Sequence, residues 1–159
     1  MLANHSFILK RPTTVAEVTE CIDLYLALND FSFLPASRLK SIRELSSAVR
    51  MNKFVLMALL DDKIVGWIYA REANISHIEN SVLQQYYYAS NLTGIKAVKL
   101  LSVLHQAMFD YAEDKGFELV MSSGSHMDSK NVLTRVLAKD GWDTRGYLAV
   151  KYTKNFKER

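Results

Sequence analysis

Apolar residues in this chain recur with two periods, and the period changes at recognisable stops. "SFILK" (6–10) is a short apolar run that reads as a first strand, halted by Pro12. Across 15–28, Val15, Val18, Ile22, Tyr25, Leu26 and Leu28 fall at the three- and four-residue spacing of one helix face. Thr13 or Thr14 can cap that helix, and Glu17 stands where a capping box returns the bond. "NDFSFLPASR" (29–38) interrupts the pattern, and 36–50 resumes it. "KFVLMALLDDKIVGWIYAR" (53–71) holds two apolar runs around Asp61-Asp62-Lys63. Each run is short for a helix, and the second is rich in β-branched and aromatic residues, so the segment predicts a hairpin.

"SVLQQYYYA" (81–89) predicts another strand. Simple alternation places Val82, Tyr86 and Tyr88 on one face, and Leu83, Tyr87 and Ala89 on the other. From Ile95 to Lys115, the set Ala97, Leu100, Leu101, Leu104, Met108, Tyr111 and Ala112 predicts an amphipathic helix ended by Gly116. "FELVMSS" (117–123) reads as a strand, and Asp128 or Ser129 opens a helix that runs to Asp140 and stops at Gly141. "YLAVKYTK" (147–154) is the last strand. The predicted order is β-α-α-β-β-β-α-β-α-β, a mixed α/β layer fold.

Composition narrows this picture only a little. The 159 residues suit one domain, 1–159, with no repeat, low-complexity tract or proline-rich linker to mark a second. A net charge of +3 permits an anionic ligand such as a nucleotide but gives no case for nucleic acid. The lone Cys21 excludes an intrachain disulfide, and no apolar run reaches membrane-spanning length, so the expectation is a soluble cytoplasmic protein. His5, His77 and His105 lack metal-ligand spacing with one another or with Cys21, and no metal is expected. The basic tail "KYTKNFKER" (151–159) reads as a solvated end.

The stretch "YYYASNLTGIKAVKLL" (86–101) carries the first chemical question. A strand feeding a glycine turn at a helix N-terminus leaves backbone N–H groups unpaired, and those donors with the positive end of the helix dipole suit a pyrophosphate. Gly94 would supply the backbone freedom, although Lys96 stands where a phosphate cradle wants a very small residue. Gly94 can equally make a plain turn before a helix that packs in the core. The three tyrosines likewise suit packing with outward hydroxyls better than base stacking.

Taken with the element order, three short motifs resemble the GNAT superfamily of acyl-CoA-dependent N-acetyltransferases. They are the "DDKIVGWIYA" hairpin, the loop-helix unit and the ending "NVLTRVLAKDGW". The resemblance spans nearly the whole chain as architecture. In the family's Q/R-x-x-G-x-G/A loop, "NLTGIK" (91–96) matches at Gly94, while Asn91 replaces the Gln or Arg and Lys96 the small residue. Asn131 and Gly141 match the later signature, with Trp142 in place of its Phe. The chain also resembles GNAT-like proteins encoded by tailed bacteriophages.

What this resemblance implies is a central mixed sheet of six to seven strands flanked by about four helices, and acetyl-CoA as cosubstrate. It implies direct transfer of the acetyl group to a primary amine, without a covalent acyl-enzyme. The pantetheine arm would lie along Tyr87, Tyr88 and Ala89, and the pyrophosphate on Asn91, Leu92, Gly94, Ile95, Lys96 and Ala97, with Asn131 beyond. Four residues before the closing glycine the family often places a tyrosine that protonates the leaving thiolate, and here that position is Leu137. Tyr88, Ser125 or His126 can serve instead, and Glu79 is a candidate base acting through water. Each has a plainer reading: His126 as a solvated loop histidine, Glu79 as a solvated strand end.

Phe31 and Phe33 lie where the family recognises its acceptor, or plug the core beneath two helices. Ser125, His126 and Asp128 do not make a hydrolase triad, because local adjacency is not triad geometry and the G-x-S-x-G elbow is absent. The implied partner is a small-molecule or peptide amine acceptor, with a homodimer left open and neither nucleic acid nor membrane expected. The alternative is a GNAT-fold binding or assembly protein with little or no catalysis, which the departures at Asn91, Lys96 and Leu137 favour.

Overall fold

Each apolar period becomes the element it predicts. The computed structural model describes residues 7–28, 37–123, 132–146 and 148–158. Over these the chain runs β1 (Ile8–Lys10), α1 (Val15–Leu28), α2 (Arg38–Arg50), β2 (Phe54–Leu60) and β3 (Lys63–Ala73). It continues through β4 (Val82–Ser90), α3 (Gly94–Lys115), β5 (Leu119–Ser123), α4 (Val132–Lys139), β6 (Asp143–Arg145) and β7 (Leu148–Tyr152).

Local chemistry sets the boundaries. The Thr14 hydroxyl accepts from the Glu17 N–H at 3.1 Å, and the Glu17 carboxylate accepts from the Thr13 and Thr14 N–H groups at 2.7 and 3.3 Å. This is the capping box expected at the start of α1. Lys10 adds a 2.7 Å ion pair to the same carboxylate, and its bond first, then that from Thr13, holds the Glu17 pKa down to about 2. Ser37 caps α2 through its hydroxyl to the Lys40 N–H. Asp61 and Asp62 both take positive φ, 52° and 61°, the backbone of a tight two-residue hairpin turn.

The strands form a seven-stranded sheet in the order β1-β2-β3-β4-β5-β7-β6. β4 and β5 pair in parallel, whereas β5 with β7, β7 with β6, and β1 with β2 are antiparallel. One strand was not expected from the sequence. β6 pairs with β7 across Gly146, whose φ is +58°. The helix expected from Asp128 or Ser129 is seen from Val132, and its start lies outside the described residues.

The chain divides into two compact units, one from Met1–Tyr69 with Tyr87–Leu100 and one from Ala70–Tyr86 with Leu101–Arg159. The first has a core in which Val18, Cys21 and Ile22 of α1 and Leu45 and Ala48 of α2 cover Val55, Met57, Trp67 and Tyr69. Burial there pushes the Cys21 thiol up to about 12, so it packs as a neutral, unreactive side chain. In the second unit the buried Glu118 carboxylate accepts from the Ser81 N–H, the Lys157 N–H and Asn80 Nδ2. Thr153 Oγ1 donates to the Phe117 carbonyl, fastening the same C-terminal segment. Among the described residues no helix is long and apolar enough to cross a membrane.

Candidate functional site

In the first unit, β4 leads through Asn91–Thr93 into α3. The Asn91 N–H donates to the Val65 carbonyl on β3 at 3.1 Å, and the Leu92 N–H donates to Ser90 Oγ at 3.2 Å. These bonds fix the turn, and Gly94 then opens the helix at a φ of +61°, in the left-handed region. A Cβ added there would meet nothing within 4 Å, so the glycine is required by backbone angle rather than by crowding.

The start of α3 is poorly matched to its own dipole. The N–H groups of its first turn have no intrahelical partners. No acidic residue occupies that turn, and Lys96 places positive charge where a helix favours negative. Gly94, Ile95 and Lys96 are exposed, Ile95 at 85%, although isoleucine ordinarily seeks cover. An anion bound here would satisfy the donors and neutralise the lysine at once.

β3 and β4 supply the neighbouring wall. Gly66 is buried on β3, and a Cβ on it would lie 2.6 Å from Leu100 Cδ2 and 2.8 Å from the Ala89 carbonyl oxygen. The next residue, Trp67, points to the opposite face. Its ring meets Tyr25 of α1 edge-on at 6.2 Å and Tyr87 at 5.6 Å. Tyr87 also packs edge-on against Tyr25 at 4.7 Å and stacks on Tyr69. Among the described residues the buried Trp67 Nε1 has no hydrogen-bond partner.

Gln85 reaches His105 of α3, yet Tyr87, two residues on, packs on α1. On β3 the α3 contact of Gly66 and the α1 contact of Trp67 show that the two helices cover opposite faces. Tyr87 and Ala89 share the core of the first unit, as the alternation expects. Tyr86 is exposed, with the Arg71 guanidinium 3.7 Å from its ring centroid.

Tyr88 is largely buried, and burial raises its phenol pKa above the usual value against the opposing effect of Ser90. It therefore stays protonated at neutral pH and can donate but not act as base. In the second unit, Glu79 is exposed in the connection before β4. Leu137 of α4 is fully buried and offers no proton. Ser125, His126, Asn131, Phe31 and Phe33 lie outside the described residues. Among the described residues, no three His, Cys, Asp or Glu side chains are grouped as metal ligands.

One polar cluster was missed from the sequence. His105 and Ser122 have no exposed surface, and Nε2 of the imidazole lies 2.8 Å from Ser122 Oγ and 3.1 Å from Gln85 Oε1. Its Nδ1 lies 2.9 Å from the Leu101 carbonyl and donates to it. Burial lowers the His105 pKa to about 4, against the raising effects of that carbonyl and of Asp140. The neutral ring then presents a lone pair at Nε2, which the Ser122 hydroxyl or the Gln85 NH2, after a half-turn of its carboxamide, can satisfy. The available signal was position. His105 follows Leu101 by four residues and precedes Met108 by three, which puts it on the apolar face of α3.

No sequence-family model matches this chain, and no curated protein matches it by sequence. Solved structures match it in fold. A GNAT superfamily phosphinothricin acetyltransferase from Sinorhizobium meliloti, in complex with acetyl-CoA, is 12% identical at a TM-score of 0.72, with 94% of this chain and 90% of that one covered. A GNAT-family acetyltransferase from Streptococcus pneumoniae is 13% identical at 0.68, over 93% of this chain and 99% of that one. The PaiA N-acetyltransferase from Thermoplasma acidophilum, in complex with coenzyme A, is 13% identical at 0.62, covering 92% and 99%. The chain has the mixed α/β fold of the GNAT acetyltransferases.

Proposed function

We propose that this chain, as a single GNAT-like domain over residues 1–159, transfers an acetyl group from acetyl-CoA to a primary amine by direct attack. The observation that carries this reading is the start of α3. An exposed helix N-terminus opened by a left-handed Gly94, bare of carboxylates and carrying Lys96, favours an anion. The N–H groups of Thr93 to Ala97 would take the pyrophosphate, with Lys96 as an added phosphate partner; that of Leu92 is already held by Ser90 Oγ. The backbone of Tyr87, Tyr88 and Ala89 would lie along the pantetheine arm, with Asn91 and Asn131 at its margins. Fold neighbours crystallised with acetyl-CoA or coenzyme A support the same choice of cosubstrate.

The chemistry then needs two proton movements. The ammonium of the acceptor, with a pKa of about 10, must lose a proton before it attacks. Glu79, or His126 beyond the described residues, takes the role of base. The departing thiolate needs a proton or a donor, and Tyr88 holds its proton at neutral pH for that purpose. Ser125 is the remaining candidate for it. None of the three structures reported above is from a bacteriophage, and that resemblance carries no part of this reading.

A second reading rests on Leu137. The position where a thiolate acid is often found is a fully buried leucine, which favours a protein that binds acetyl-CoA without turning it over. Melting with and without acetyl-CoA tests the binding that both readings share, because a ligand that binds only the folded state must raise the midpoint. At a hundred times its Kd the gain is about 2.7 kcal/mol, a rise of roughly 5–10 °C for a domain of this size. No shift at millimolar acetyl-CoA overturns the cosubstrate assignment.

A further inference from the structure

Three side chains of the second unit meet where β4 leaves β5. The parallel ladder between these strands runs through Val82–Leu119, Leu83–Val120 and Gln84–Met121. The next position in that register is Gln85 beside Ser122. There the Ser122 hydroxyl lies against the Gln85 carboxamide, and Nε2 of His105 lies within hydrogen-bond reach of both side chains, as an acceptor for the hydroxyl or for the carboxamide NH2. The bond from Nδ1 to Leu101 fixes the ring in place, and Trp142 meets it edge-on at 6.0 Å.

This cluster is costly for a protein to keep. A fully buried imidazole and hydroxyl lose their hydration, and apolar side chains of similar volume would pack there without that penalty. What the polar cluster provides is a defined geometry, because each bond has a direction that dispersion contacts lack. It sits at the first register position past the ladder.

We infer that His105 is a positioning residue that sets the fork between β4 and β5, tying Gln85 to Ser122 so that β4 departs at one fixed point. The inference rests on the acetyltransferase reading for its purpose: the backbone that follows Gln85 is the segment proposed to receive the thioester arm. His105 itself touches no reacting atom in this account. It acts through Gln85.

The test compares wild type with His105→Phe, His105→Gln and Ser122→Ala. Urea midpoints, acetyl-CoA affinity by titration calorimetry, and amide exchange across residues 85–90 are measured for each. His105→Phe removes the polar bridge but keeps the bulk. It is expected to hold or raise the urea midpoint while weakening acetyl-CoA binding about tenfold or more and speeding exchange at 85–90. His105→Gln can still donate and accept, and is expected to recover affinity to within a few-fold of wild type. A merely structural histidine would show the reverse, with lost stability and unchanged affinity.

Wild-type affinity and exchange in His105→Phe overturn the inference. If that variant does not fold, Ser122→Ala removes one link of the same cluster and carries the same comparison. If wild type itself fails to bind acetyl-CoA, the cosubstrate reading falls. Exchange at 85–90 then decides the fork alone, faster in the variants if His105 sets it and unchanged if it does not.

Discussion

The Cβ that Gly66 lacks would lie 2.8 Å from the carbonyl oxygen of Ala89, a distance that real Cβ atoms do not adopt. Leu100 can swing its methyl aside, but the Ala89 carbonyl belongs to β4 and moves only with the strand. Gly66→Ala is therefore expected to cost about 1–3 kcal/mol in urea unfolding and to weaken acetyl-CoA binding by shifting β4. Full stability with full affinity would show that Ala89 is not held against β3 as described.

Gly94 and Lys96 separate backbone from charge at the proposed phosphate site. Gly94→Val places a β-branched residue at a φ of +61° and is expected to lose about 1–2 kcal/mol together with the acetyl-CoA-induced rise in melting temperature. Lys96→Ala should leave the fold unchanged. It should weaken binding and flatten its salt dependence if the lysine contacts a phosphate. Binding unaffected by Gly94→Val would mean that the loop is misassigned.

His105 makes stability depend on pH. Its folded pKa of about 4 lies below the ordinary 6.5, so the unfolded chain binds the extra proton first as pH falls. The contribution is fully present above pH 6.5 and is lost progressively down to about pH 4, on the order of 3 kcal/mol in all. Urea midpoints of wild type and His105→Phe should move apart between pH 7 and pH 4.5, with wild type losing more as the pH drops. A wild type that loses no more stability than the variant over that interval contradicts the neutral, buried ring.

Glu118 joins three parts of the second unit through one carboxylate. Glu118→Ala strands the N–H groups of Ser81 and Lys157 together with Asn80, and is expected to cost about 3 kcal/mol. Limited proteolysis should then cut first within 153–158. A variant that unfolds like wild type would show that those donors find water at no cost.

Much of this could be read from the chain because local periodicity and capping chemistry agree with the tertiary fold. The face of α1, its Thr14–Glu17 box, the Asp61–Asp62 turn and the glycine stops after α3 and α4 were all legible as residues in sequence. β6 was not, since Asp143-Thr144-Arg145 carries no apolar alternation and becomes a strand only by pairing with β7. The His105–Ser122–Gln85 cluster was not legible either, since its members lie far apart in the chain and meet only in the folded second unit. Gly94 was singled out for its backbone, and its positive φ bears that out. The base and acid were left among several candidates, because proton transfer depends on distances that spacing along a chain does not set.

The central claim is acetyl transfer, and the most direct measurement is amine-dependent release of the coenzyme A thiol, with the acylated product identified by mass. Wild type with acetyl-CoA and a panel of small amines and peptide N-termini is expected to release thiol in step with one acetylated product. Gly94→Val should release none. Thiol release that no amine stimulates, in a protein that binds acetyl-CoA, would contradict the account and leave a binding protein in its place.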